Sequence, residues 1–195
     1  MKKFLWFILA VVVVIFVVTQ NGQSDEDFKN EVMAYWQDKH DFYKNSQASP
    51  FVQKNAAYEE VQIFPIEAMY KVNATLERFT TRELVTIGNS DGSSTKYLKF
   101  ATAKFQINGT SQQLLILKAL GFGNQYFTAF GDETSGNTTY GGGRYLDLAI
   151  GKSDRVEIDF NKAYNPYCAY FEDFTCPLPP LENLLTVEIK AGERL

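Results

Sequence analysis

The sequence is short of the residues on which many enzymes rely. It holds one histidine, His40, and two cysteines in 195 residues. A hydrolase triad needs a nucleophile, a histidine base and an acid that orients it. Ser135 stands in Thr-Ser-Gly without the G-x-S-x-G elbow. His40, between Lys39 and Asp41 on a helical pattern, reads as a rim residue rather than a general base. Structural zinc favours closely spaced ligand pairs, and Cys168 and Cys176 are not so placed. Positive charge is also scarce. Nineteen Lys and Arg face 23 Asp and Glu, giving a net charge of −4, and the basic residues are scattered singly. Such a chain lacks the basic footprint of a nucleic-acid binder, so no nucleic-acid partner is expected. The glycines at 141–143 are not followed by the lysine of a phosphate-binding loop, and no calcium-loop spacing occurs. Repeats and low-complexity tracts are absent.

What is present begins with Met1, Lys2 and Lys3, then an unbroken apolar run over 4–18. As a helix the run spans roughly 22 Å, short of a hydrocarbon core of about 30 Å. It lies between a cleavable signal and an anchor. Gly22 and Ser24 offer small-x-small spacing for cleavage, and no cysteine follows to carry a lipid. Residues 1–24 are therefore expected to be a signal peptide or membrane anchor. Residues 25–195 are expected to form a single exported β-rich domain, held outside the cytoplasm by 4–18 if uncleaved, or secreted or periplasmic if cut.

From Asp25 to Tyr43 the apolar residues Phe28, Val32, Tyr35, Trp36, Phe42 and Tyr43 recur at helical spacing, with Ser24 as N-cap and acids in the first turn. Ser49 before Pro50 is pushed toward extended geometry, and a loop is expected through Tyr58. From Val61 the period becomes two. Strands are expected over 69–79, 97–107, 112–119, 126–130, 145–150, 155–160 and 185–190. Asn108-Gly109 is the strongest hairpin signal, since both turn positions take positive φ. About eight short strands after one N-terminal amphipathic helix predict a mainly β fold. An antiparallel β-barrel is preferred over a sandwich.

Polar chemistry gathers in the last third of the chain. Asp132, Thr134, Ser135, Tyr140 and Arg144 surround three glycines, which allow close approach of backbone to a ligand. Arg144 can clamp a carboxylate or phosphate, with the hydroxyls adding direction. It can equally pair inside the fold with Asp147 or Asp159. Asp159, Asn161 and Asn165 shape an irregular strand exit, and with Asp132 they offer oxygens to a hard cation. Cys168 and Cys176 are expected to form a disulfide in an oxidising compartment, worth about 2–3 kcal/mol in the chain-entropy model. Zinc held by both thiolates, His40 and a carboxylate is the alternative. The 176–180 run, Cys-Pro-Leu-Pro-Pro, is a rigid extended strap packed by Leu178 and Leu181.

Four ordered motifs resemble the family known as domain of unknown function 1684, found in bacteria and archaea. They are D-x-T-S-G-x-x-T-Y-G-x-G-R-[YF]-L at 132–146, D-F-N-x-A-x-x-P-x-C-A at 159–169, C-P-L-P-P-x-E-N at 176–183 and A-G-E at 191–193. Relatives tend to have arginine after the last asparagine of the strap, where this chain has Leu184. The resemblance implies a shared site without naming its ligand, and it raises the free-thiol and metal readings of the cysteines. The combined expectation is an exported or membrane-anchored β-barrel protein binding a small polar or amphipathic ligand through Asp132, Thr134, Ser135, Tyr140, Arg144, Asp159, Asn161 and Asn165. Its cofactor is unknown. A carboxylate-based or metal-dependent envelope hydrolase and a partner-binding envelope protein are the alternatives.

Overall fold

One long strand organises the molecule. In the computed structural model, which describes residues 2–121, 123 and 125–195 and side chains from residue 24 onward, that strand is β3 (Ser94–Ile107). The strands before it are β1 (Lys71–Arg78) and β2 (Leu84–Gly88). Those after it are β4 (Thr110–Lys118), β5 (Tyr126–Phe130), β6 (Arg144–Leu148) and β7 (Arg155–Asp159). β4 takes one edge of β3, while β2 and β1 share the other, β2 on its first half and β1 on its second. The register shifts between Lys99 and Ala101, where the handover occurs. A bulge of this kind bends a strand and increases its twist. The order is β6-β5-β4-β3-β1-β7, with every pairing antiparallel. Asn108 and Gly109 join β3 to β4 at φ of 51° and 74°.

Period-two burial builds the core. Val72, Ala74 and Leu76 face Ala101, Ala103, Phe105, Leu114, Ile116, Val156 and Ile158 inside the curl. Leu115 and Leu117 point to the other face and are also buried, with Ile87, Tyr97 and Phe127. α1 (Lys2–Asn45) closes one side. Its Val32, Trp36 and Tyr43 are buried, and the Trp36 Nε1–H donates to the Asn161 carbonyl at 2.8 Å. Ser24 lies within α1 and caps nothing. Ser49 is extended (φ −69°, ψ 137°) and caps a short second helix, α2 (Pro50–Gln53), where a loop was expected. Proline at the first helical position loses no hydrogen bond, which is why this turn can form.

Two expectations are corrected. The sheet has seven strands and curls into an open half-barrel, neither closed nor eight-stranded. The 185–190 run is not a strand, whereas β2 was not among the runs expected; Leu185 N–H and the Val187 carbonyl bond the Gly131 and Glu133 main chain, and side chains take other backbone groups of the run. Thr186 N–H donates to Gln112 Oε1, Ile189 N–H to Asp132 Oδ1, and the Ile189 carbonyl accepts from Arg144. The membrane expectation falls as well. Among the described residues no helix is long and apolar enough to cross a membrane, so neither the anchored barrel, the transmembrane helix nor the membrane partner is retained. The 4–18 run, on which export and location outside the cytoplasm rested, lies outside the residues whose side chains are described.

Candidate functional site

Asp132, Thr134, Ser135 and Arg144 meet the 189–193 segment in a hydrogen-bonded knot. Strand alternation turns Arg144, first residue of β6, inward, where it is 1% exposed. Its Nη1 donates to the carbonyls of Ala191 and Glu193 at 2.5 and 3.1 Å. Its Nη2 donates to Asp132 Oδ2 and the Ile189 carbonyl, both at 2.9 Å. The guanidinium lies 5.3 Å from the centre of the Phe130 ring. Burial pulls the Arg144 pKa down, while Asp132 and then Glu193 act against that. Asp132 Oδ1 accepts from the Thr134 N–H and hydroxyl and from Ile189 N–H. The Thr134 and Thr139 hydroxyls are hydrogen-bonded at 2.9 Å, and Ser135 Oγ accepts from Asp132 N–H.

The asparagine corner serves the same end of the fold. Asn161 donates through N–H and Nδ2 to Asp159 Oδ1 and exchanges two bonds with the Glu67 backbone. Burial raises the Asp159 pKa, and its Oδ2 has no hydrogen-bond partner among the described residues. Asn165 donates its N–H to Glu193 Oε2 and its Nδ2–H to Oε1, at 2.8 and 2.9 Å. Tyr170 adds a hydroxyl donor to Oε1 at 2.5 Å. Glu193, a residue the ligand-binding set omits, is therefore the centre of this corner. Its pKa is raised by burial, against the hydrogen bonds that favour its charged form.

The cysteines are corrected. No disulfide joins them; both are free and buried. Cys168 N–H donates to Cys176 Sγ at 3.2 Å, and Tyr140 O–H reaches Cys168 Sγ at 3.9 Å. Burial first, and then the Cys168 thiol, push Cys176 up to about 12, so it is a thiol and not a thiolate at neutral pH. Among the described residues no three His, Cys, Asp or Glu side chains converge as a metal would require, and His40 Nδ1 pairs with Glu60 at 3.0 Å. Gly143, at φ +83°, has no room for a Cβ: it would sit 2.4 Å from Pro179 and 2.6 Å from the Phe130 carbonyl. The glycine turn thus seats the proline strap. An open cleft of 550 Å³ lies beside it, bordered by Gly131, Asp132, Ser135 and Leu184.

A different cavity, of 740 Å³, opens between α1 and β6. Tyr35, Asp38, Lys39 and Phe42 line it from the helix, and Tyr145 and Asp147 from alternate positions of β6. Tyr164, Tyr167 and Pro177 complete the wall. Tyr164 is held there by a bridge to Tyr145 and by its hydroxyl, which donates to Asp147 Oδ2 at 2.9 Å. Lys39 Nζ lies 3.1 Å from the Tyr164 ring centre, 5.7 Å from that of Tyr35 and 5.8 Å from that of Tyr43. No carboxylate among the described residues lies within ion-pair distance of it. Burial lowers its pKa to about 8, although Asp147 and Glu193 pull upward. Sequence reading missed this cavity. Its signals were the i, i+4, i+7 spacing of Tyr35, Lys39 and Phe42, and the alternation in Arg144–Leu148 that faces Tyr145 and Asp147 away from the core.

The family model for "Protein of unknown function (DUF1684)" matches residues 56–194. The chain belongs to the DUF1684 family. It is also similar, at 32% sequence identity and a TM-score of 0.68, to the solution NMR structure of the uncharacterized protein from gene locus rrnAC0354 of Haloarcula marismortui. That likeness covers 89% of this chain and 97% of the other. No curated protein matches the chain. The family match spans the knot, β6 and the strap, but begins after Lys39.

Proposed function

We propose that the protein binds a small molecule with a planar apolar body and an oxygen-bearing head group in the cleft between α1 and β6. The observation that carries this reading is Lys39: a half-buried cation inside an aromatic-walled cavity, with no carboxylate among the described residues within ion-pair distance of it. Desolvating a charge without a partner is costly, so a ligand oxygen beside Nζ gains from completing the site. The tyrosine rings and Phe42 supply faces for a flat body. Tyr164 and Asp147 add a hydroxyl and a carboxylate near the mouth.

In the same reading, Asp132, Thr134, Ser135, Arg144, Asp159, Asn161 and Asn165 form the frame. They hold 185–193 across the open side, so that the C-terminal segment completes the half-barrel in place of a further strand. Tyr140 joins the frame through the strap. Residues 25–195 then make one folded unit around the cleft.

The test is a ligand screen by NMR on isotope-labelled protein, using aromatic aldehydes, ketones and carboxylates. Perturbed resonances should cluster at Tyr35, Lys39, Phe42 and Tyr145. Lys39→Met keeps the length and apolar stem of the side chain and removes the cation. It should weaken ligand binding by roughly 10- to 100-fold, the value of a hydrogen bond to a charged group, without lowering the melting temperature. Binding that is unchanged in that variant would refute the reading.

A further inference from the structure

The proposed cleft contains the parts of an amine nucleophile site. Lysine reacts as a nucleophile only when its amine is neutral, and an apolar pocket is one of the environments that makes it so. Lys39 stands in such a pocket, with rings of Tyr35, Tyr43 and Tyr164 around Nζ. The lining also brings Asp147 and Thr175 to the cavity, and the Tyr164 hydroxyl is already oriented by Asp147.

We propose that Lys39 forms an imine with an aldehyde or ketone ligand. This rests on the cleft reading and narrows its head group to a carbonyl. The Nζ lone pair adds to the carbonyl carbon, and the carbonyl oxygen takes up a proton to give a carbinolamine. In turn the nitrogen releases both of its protons, the hydroxyl takes up one and leaves as water, and a carbon–nitrogen double bond remains. Amine and carbonyl become imine and water; nothing is oxidised or reduced. The Tyr164 hydroxyl and the Asp147 carboxylate, on the same wall, are the groups placed to move these protons. Tyr35 and Tyr43 face the amine from α1, and Asp147 and Glu193 act on it from β6 and the C-terminal segment. The lowered Lys39 pKa agrees with this geometry, since an appreciable share of the amine is neutral near pH 8.

Benzaldehyde with cyanoborohydride tests the inference on the whole wild-type chain, because hydride converts any imine to a stable benzylamine that peptide mapping can place. At a pH of about 7.5, Lys39 should be labelled on the order of 100-fold faster than the exposed lysines, following its larger neutral fraction. Its labelling rate should level off above a pH of about 8, while rates at exposed lysines keep rising toward their ordinary pKa. Benzyl alcohol, which has the same ring and no carbonyl, should slow labelling at Lys39 and leave the other lysines unchanged. Even labelling of all lysines, or absence of label at Lys39, would overturn the imine. NMR with benzyl alcohol separates the two failures. Binding in the cleft without selective labelling leaves a non-covalent site, whereas neither binding nor labelling removes both readings.

Discussion

Arg144 shows how a charged side chain becomes a building element. Its two terminal nitrogens meet three main-chain carbonyls and one carboxylate, all from segments far away in the chain except Asp132. The planar fork of guanidinium suits such divergent acceptors, and a lysine ammonium does not reproduce it. Arg144→Met should therefore cost about 3–5 kcal/mol, mainly because it strands the Asp132 carboxylate in the interior. Adding Asp132→Asn should recover part of that loss by removing the stranded charge. Urea unfolding of the single and double variants measures both. A single-variant loss below about 1 kcal/mol would give the pair no more weight than an exposed ion pair.

Among the elements, the join between β4 and β5 depends on one side chain. The two strands pair only at Leu117–Phe127 and Lys118–Tyr126, then part. Asn183 fills the gap. Its Oδ1 accepts from Leu115 N–H at 2.5 Å, and its Nδ2 donates to the carbonyls of Leu115 and Ala129 and to Thr128 Oγ1. Its main chain runs beside Gly131, with Gly131 N–H donating to the Asn183 carbonyl and Leu185 N–H to that of Gly131. One amide thus satisfies the backbone groups that a continued ladder would have paired. Asn183→Ala should cost about 2–4 kcal/mol, since it leaves buried backbone donors and acceptors without partners. Native-state hydrogen exchange should show the Leu115 amide losing protection out of proportion to its strand neighbours. An evenly reduced protection across β4 would mean that Asn183 contributes to global stability alone.

At the scale of the whole molecule, the half-buried Lys39 couples stability to pH. Its folded pKa of about 8 lies below the ordinary lysine value, so between the two the unfolded chain binds more protons than the folded one. Stability from this group is lowest while it is charged in both states and rises as pH climbs from about 8 toward 10. The stability of wild type minus that of Lys39→Met, measured by denaturant melts across that range, should increase with pH. A flat difference would place Lys39 in water. The buried tyrosines, whose pKa values burial raises, act in the opposite direction above this window, and the difference measurement cancels most of their share.

Much of the frame was legible because its signals are local. The helical spacing through Trp36 and Tyr43, the Asn108-Gly109 turn and the alternation in β3 each depend on neighbours within a few residues. The four motifs likewise marked the segments that meet in the knot. The 185–190 run alternates as a strand does, yet Arg144, Asp132 and Gln112 take its hydrogen bonds from outside. The cysteines are close in sequence and in space, yet they lie buried as two thiols. By itself the sequence determined a β-rich chain with a helix, a tight hairpin and a polar C-terminal third, since propensity and periodicity act along the chain. Only the tertiary structure decided that Arg144 faces inward, that the sheet stays open and that Lys39 stands in an aromatic cleft. Those outcomes depend on which distant groups desolvate one another, and no local pattern carries that information.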